Sequence, residues 1–309
     1  MGLPKRTVLD LIPSGLRQTR TGETFYVGNG SVPQPGGSIG ANTNSPKGTS
    51  PMRPLSTLQA ALTRCVANRG DVVYVLPGHA ETVTAANTIG GATFAAKAGV
   101  SVVGLGYGSL RPTFTFNTAT TADLNINVAN FTFENLLFLT DIDELAAPLD
   151  VTAAYFTMRN CEVRCTDDDG DEQAITFVSA TNAADYMLIE GCYFYGVGTT
   201  VAAGGQTMIT VGGADDVIIR NNYMQGASTT SVGHINNTAA ALRMRIQGNT
   251  IINTTAVSTK AFVCHASTTG IHDGNRLGIL NGTAPYTAAG MYAGLNYYAA
   301  AVNTAMVAV

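Results

Sequence analysis

Residues 131–138 read FTFENLLF, and the pattern returns as FTMRNCEV at 156–163, MLIEGCYF at 187–194, VIIRNNYM at 217–224 and MRIQGNTI at 244–251. A weaker copy, TGIHDGNR, occupies 269–276, and VSVVGLGY at 100–107 precedes the series. The fifth residues of the six aligned segments are Asn135, Asn160, Gly191, Asn221, Gly248 and Asp273, at spacings of 25, 31, 30, 27 and 25, with Gly104 in the same phase 31 residues before Asn135. Gly, Asn and Asp enter the left-handed backbone region most readily, so their recurrence in one phase predicts a sharp corner between two strands. Two positions before the corner stand Phe133, Met158, Ile189, Ile219, Ile246 and Ile271; three after it stand Phe138, Val163, Phe194, Met224 and Ile251. Side chains alternate faces along a strand, so both sets point the same way and form interior ladders when coils stack. AITFV, MITVG and AFVCH supply a further strand per turn.

A β-sandwich has no reason to keep one corner in phase, whereas a solenoid does. Seven coils at about 4.8 Å each give a rod of roughly 35 Å. Composition agrees. Charged residues make up 12% of the 309, against about 25% in ordinary globular proteins, and there are 34 Gly and no Trp. Small uncharged residues at this density suit stacked strands better than solvated helices.

Upstream, YVGNGSVPQPGGSIGANTNSPKGTSPMRP (26–54) is rich in Gly, Pro, Ser and Asn without apolar periodicity and reads as an extended arm. It ends in one amphipathic helix capped by Ser56 or Thr57, with Leu58, Ala61, Leu62, Cys65 and Val66 on one face and Gly70 as its stop. That helix would cover the open end of the sheet beginning at DVVYVLPG (71–78). The expected organisation is an N-terminal arm over 1–54, capping helix plus solenoid over 55–280, and an uncharged tail over 281–309. No charge follows Arg276. A tail this neutral closes the last coil and then packs on a neighbouring subunit, or folds back on its own rod.

The formal net charge is −4, yet residues 1–70 hold eight Lys or Arg with only Asp10 and Glu23. The basic residues are scattered without interleaved aromatics, which speaks against nucleic acid as partner. Neither a secretory signal nor a membrane span is expected, and synthesis in a cytoplasm is the expectation. The five cysteines are odd in number and form no CxxC pair, so reduced core thiols are expected. Cys161 and Cys192 both follow a corner and should stack, with Asn222 and Asn249 continuing the row.

Candidate chemistry is sparse. Asp185 and Asp215 each lie six residues before a corner, and stacking would bring them about 5 Å apart, near the separation of a retaining glycosidase pair. The alternative, preferred here, is that both are turn residues whose carboxylates bond backbone. The run DDDGDE (167–172) gathers five acids. Asp167, Asp169 and Asp171 are candidate calcium ligands, but Gly170 comes fourth where an EF-hand-like loop needs its glycine sixth, and an exposed loop is the favoured reading. His79, His234, His265 and His272 are isolated from any nucleophile motif and are expected at the surface or in turns. No cofactor is expected.

RPLSTLQAALTRCVANRGDVVYVLPGHAETV (53–83) followed by the recurrent corner segments resembles right-handed parallel β-helices of the pectin-lyase-like type, particularly those of tailed-phage particles, over about residues 50–280. The resemblance implies an all-β, single-stranded, right-handed parallel β-helix. The NTD, GHG and RxK motifs of polygalacturonase-like members are absent, which leads to the expectation of a non-enzyme. The resemblance then implies a virion structural protein, a decoration or cement protein acting as a homotrimer on the major capsid protein. The alternative is a short tailspike or receptor-binding protein that binds or cleaves surface polysaccharide through Asp185 and Asp215.

Overall fold

In a computed structural model of the chain, Asn135, Asn160, Gly191, Asn221 and Gly248 all have φ between 51° and 65°. Each of these corners joins a strand of one sheet to a strand of a second, and the chain then crosses a third sheet before the next corner. The structure describes residues 22–29, 48–85, 97–166, 174–196, 206–228, 233–254, 260–279 and 285–299, and the backbone of 307–308. Among them the first and second sheets hold ten strands each and the third seven. All pairings between successive coils are parallel, so the chain is an all-β parallel solenoid with very little helix.

The interior is laddered as the periodicity requires. Val102, Phe133, Met158, Ile189, Ile219 and Ile246 are in direct register on the first sheet, and Phe114, Phe138, Val163, Phe194, Met224, Ile251 and Leu277 on the second. All are fully buried, each contributing about 1.5–3 kcal/mol for the larger side chains. The last repeat departs by one residue. Ile246 pairs with His272, not Ile271, and the corner is Gly274 (φ 66°), not Asp273. Gly takes the left-handed region at less steric cost than the Asp beside it, and the shift turns His272 inward.

Beside the corner runs a row of side-chain hydrogen bonds along the axis. Asn222 Nδ2 donates to Asn249 Oδ1 (3.0 Å), Asn249 Nδ2 to Asn275 Oδ1 (3.1 Å) and Asn275 Nδ2 to Asn296 Oδ1 (2.8 Å). The backbone N–H of each of these three also donates to the next oxygen, and Cys192 N to Asn222 Oδ1. All four asparagines are buried. Cys161 and Cys192 occupy the same row, and burial pushes the Cys192 thiol up to about 12, as suits an inert core thiol. All five cysteines are free and buried.

The helix spans Leu58–Arg64, with Thr57 as N-cap accepting from Ala60 N (3.2 Å) and Glu81 accepting from Leu58 N (2.8 Å). It packs on Thr24–Val27 and Val72–Val75, the first two strands of the first sheet. Val66, expected on its buried face, is 49% exposed, because Cys65 already has extended backbone and ends the helical phase. Thr24–Val27, read as arm, is thus a strand of the solenoid. The tail from 281 also contributes strands: Tyr286–Thr287, Met291–Ala293 and Tyr297–Ala299 continue the three sheets, and Val307–Ala308 pairs antiparallel with the last of these. Its described residues therefore pack on their own rod.

Histidines were expected at the surface or in turns; His79, next to the turn at 77–78, is buried, as are His234 and His272, and only His265 is exposed. His234 Nε2 lies 3.1 Å from the Ile252 carbonyl, and burial lowers its pKa to about 4. A folded value depressed below 6.5 gives stability that is present above pH 6.5 and lost as pH falls towards 4, amounting to about 3 kcal/mol. Urea titrations of wild type and His234→Gln across that window should show a steeper acid limb in the wild type. For the asparagine row, Asn249→Ala strands the Asn222 N–H and amide donors, each orphan costing about 1–3 kcal/mol. Its urea midpoint should fall well below that of an exposed control such as Thr238→Ala.

Candidate functional site

Asp185 and Asp215 do stand on successive coils, and one oxygen of each is engaged. Asp185 Oδ1 accepts from Asp215 N (2.7 Å) and Asp215 Oδ1 from Leu242 N (2.7 Å). Each carboxylate fixes the turn of the following coil, about 30 residues away, instead of its own turn. The backbones follow the same pattern, with Tyr155 N donating to Asp185 O and Tyr186 N to Asp215 O. The two side chains thus form a structural rung from coil to coil. Asp167, Asp169 and Asp171, the calcium candidates, lie outside the described residues. Among the described residues no group of three His, Cys, Asp or Glu is arranged to hold a metal ion, and no helix is long and apolar enough to cross a membrane.

A different constellation forms on the outer face of the second sheet. Along Glu162–Cys165 the alternation turns Val163 and Cys165 inward, so Glu162 and Arg164 point out. In the next coil Tyr193 pairs with Glu162 and Tyr195 with Arg164. Arg111 reaches this face from the end of the short 3-10 turn Gly108–Leu110. Together these five side chains line a cleft of about 590 Å³.

Glu162 is held from both sides. Arg111 Nη1 lies 2.8 Å from Oε2, and Arg164 Nη1 3.4 Å from Oε1. Two guanidiniums on one carboxylate leave a positive charge over. Arg111 Nε is buried and makes no hydrogen bond among the described residues. Planar guanidinium forks suit carboxylates and pairs of hydroxyls.

The tyrosines form a platform beside this charge cluster. Ring centroids are 6.2 Å apart for Tyr193 and Tyr195, 6.2 Å for Tyr193 and Tyr223, and 5.6 Å for Tyr195 and Tyr223. Tyr193 is 47% exposed. Burial, with Tyr223, Glu162 and Tyr193 nearby, raises the Tyr195 pKa above its usual value, so the phenol stays a hydrogen-bond donor. Tyr223 Oη donates to Gln225 Oε1 (2.6 Å).

None of these five residues is among the candidates of the sequence, whose carboxylates lie in turns and loops. The signal was nonetheless present: the second and fourth positions after each corner point outward, and they read Glu162 and Arg164, then Tyr193 and Tyr195, then Tyr223 and Gln225.

No family model and no curated protein matches the chain. Among solved structures it is similar to a rhamnogalacturonan lyase, at 13% identity and TM-score 0.44, over 82% of this chain and 74% of that one. It is also similar to a pectate lyase, at 14% identity and TM-score 0.44 over 89% and 80%, and to a lacto-N-biosidase from Eubacterium ramulus, at 10% identity and TM-score 0.39 over 89% and 67%. The likeness is one of fold, a parallel β-helix. The expectation of a non-enzyme is corrected here, since the three similar structures all bear the names of enzymes. Missing motifs cannot carry that exclusion, because one rod hosts many chemistries at different places on its surface.

Asp215→Ala should cost about 1–2 kcal/mol by freeing the Leu242 N–H. Its thermal unfolding should shift downward while any ligand affinity of the Arg111–Glu162–Arg164 cleft stays at the wild-type value.

Proposed function

We propose that the chain is a polysaccharide-recognising β-helix that binds a saccharide on the outer face of its second sheet, with a preference for acidic sugar units. The observation that carries this reading is the juxtaposition of Arg111, Glu162 and Arg164 with the Tyr193, Tyr195 and Tyr223 platform in one open cleft. Sugars present apolar C–H faces and a rim of hydroxyls. Aromatic rings stack on the first and charged forks bond the second, which is the division of labour expected of a small-molecule site. The guanidinium charge left over among the described residues favours a carboxylate or sulfate on the sugar.

Glu162 is the one carboxylate among the cleft's lining residues. It is the group placed to move a proton at a bound sugar, and its two arginines orient it for that role. Asp185 and Asp215 lie outside this cleft, and one oxygen of each bonds backbone in the next coil. In the tailed-phage setting implied by the sequence resemblance, this face would meet host-surface polysaccharide, as in a short tailspike. The described residues offer no comparable feature in favour of capsid decoration.

The test is affinity electrophoresis in gels cast with alginate or polygalacturonate, with a neutral dextran gel alongside. Wild type should be retarded in the acidic gels, less so at high salt, as screening of exposed charges requires. Arg164→Ala and Tyr195→Ala should each restore most of the free mobility. Release of reducing ends, where observed, should vanish in Glu162→Gln. Unretarded wild-type migration in every gel would overturn the proposal.

A further inference from the structure

The row of buried asparagines beside the corner has a direction. Every amide donates to the coil that follows, and Asn296 Oδ1 accepts from both the backbone N–H (3.2 Å) and Nδ2 (2.8 Å) of Asn275. A flipped Asn296 would set its NH2 group against a backbone N–H, so the orientation is fixed. Asn296 Nδ2 therefore points onward, donating to the Gly294 carbonyl (3.3 Å) and to His272 Nδ1 (3.0 Å). Nδ1 is then an acceptor, and the proton of the neutral ring sits on Nε2. His272 is buried, its ring centroid 5.4 Å from that of Phe262 and 4.5 Å from that of Tyr286, and it pairs with Ala293 of the last described coil. Its titratable and charged neighbours among the described residues place no counter-charge inside the rod. Arg245, His265, Asp273 and Arg276 stand on the outer side, Lys260 bonds the Thr287 hydroxyl, and Tyr286 and Tyr298 bring phenols. Asp71, the one acid buried among the described residues, is paired with Arg69 near the other end of the rod.

We propose that His272 is an acid-operated latch on the last described coil. When Nδ1 takes up a proton it becomes a donor facing the Asn296 donor. The bond that ends the row is lost, and the coil over 285–299 lifts so that water reaches the imidazolium. The row cannot absorb the change, because each oxygen already holds a backbone N–H of the coil before it. The last coil yields first. Among the described residues, Tyr286–Thr287 and Met291–Ala293 are the final strands of their sheets, and Tyr297–Ala299 is followed only by Val307–Ala308. Opening there breaks one set of coil-to-coil bonds, where opening inside the rod breaks two. Burial pushes the His272 pKa below the ordinary 6.5, against the pull of Asp273. The latch is therefore closed above pH 6.5 and releases as pH falls from there towards the folded value. His234 titrates in the same direction, but it adjoins a strand with coils on both sides, so its protonation bears on the rod as a whole.

Hydrogen exchange read by mass spectrometry from about pH 8 to about pH 5, with intrinsic rates divided out, tests the latch. In wild type and in His234→Gln alike, protection of 286–299 should fall below about pH 6.5, by up to about tenfold per pH unit, the slope for one proton. In His234→Gln the coils over 132–163 should stay protected through the same range. His272→Asn keeps an acceptor near the place of Nδ1 and does not titrate, so its protection over 286–299 should be flat with pH. Asp273→Asn should keep the slope and move its onset to lower pH, since the carboxylate that favours the imidazolium is gone. A slope that survives in His272→Asn, vanishes in Asp273→Asn, or runs together with that of 132–163 in His234→Gln overturns the latch. So does protection of 286–299 that is constant with pH in the wild type. A nitrogen-15 spectrum of the wild-type histidines at about pH 8 decides independently of any variant's folding: His272 should carry its proton on Nε2, and a proton on Nδ1 overturns the proposal.

Discussion

Everything in this protein depends on the chain turning the same corner in the same register once per coil. A left-handed residue at the corner fixes the angle between the first and second sheets, and the hydrogen bonds between successive coils fix the height. The two constraints reinforce one another. Asn135 has φ 54° and its amide also donates to the Gly104 and Gly106 carbonyls one coil earlier, so one side chain satisfies both. Gly104 itself keeps its place by proximity, not by φ: a Cβ there would lie 2.1 Å from the Asn135 carbonyl oxygen.

The same register explains why so uncharged a sequence forms one structure. A one-residue slip between parallel coils would turn the interior ladders outward and expose the asparagines that now bond to one another, to backbone and, for Asn296, to His272. The buried amides contribute less through the strength of each bond than through the cost of leaving any of them unmade. Polar groups inside the rod thus act against alternative stackings. The apolar ladder, being tolerant of size, does so less effectively.

The repeat, the corner residues, the two interior ladders and the cysteine–asparagine row were legible because each is a local pattern read at a fixed period. What failed to be legible has physical causes. At the last corner Asp273 and Gly274 both tolerate left-handed backbone, and only pairing with the preceding coil decides between them. Tyr155, Tyr186, Asp216 and Arg243 occupy left-handed positions at the other turn, with φ from 56° to 62°, although bulky residues there give no sequence signal. Stacking of Tyr155 on Tyr186, at 4.6 Å and 3°, and the paired 2.7 Å bonds of Arg243 to Asp216 offset that strain across coils. The cleft was missed for a related reason: Arg111, Glu162 and Tyr193 come from three coils, and proximity in a solenoid is measured in repeats.

In such a rod the inward and outward positions of a strand are decoupled to an unusual degree. Val163 and Phe194 hold the core whatever Glu162, Arg164, Tyr193 and Tyr195 do, because adjacent residues face opposite ways and the backbone bonds are common to both. A binding face can therefore be written on the outside one residue at a time, at nearly constant stability, and its length grows with the number of coils. Asp185 and Asp215 show the converse. A carboxylate that holds the next coil's backbone is no longer free to act on a ligand. Function in this fold is thus to be sought among outward side chains that keep polar atoms beyond those used between coils, as Arg111 does with its Nε.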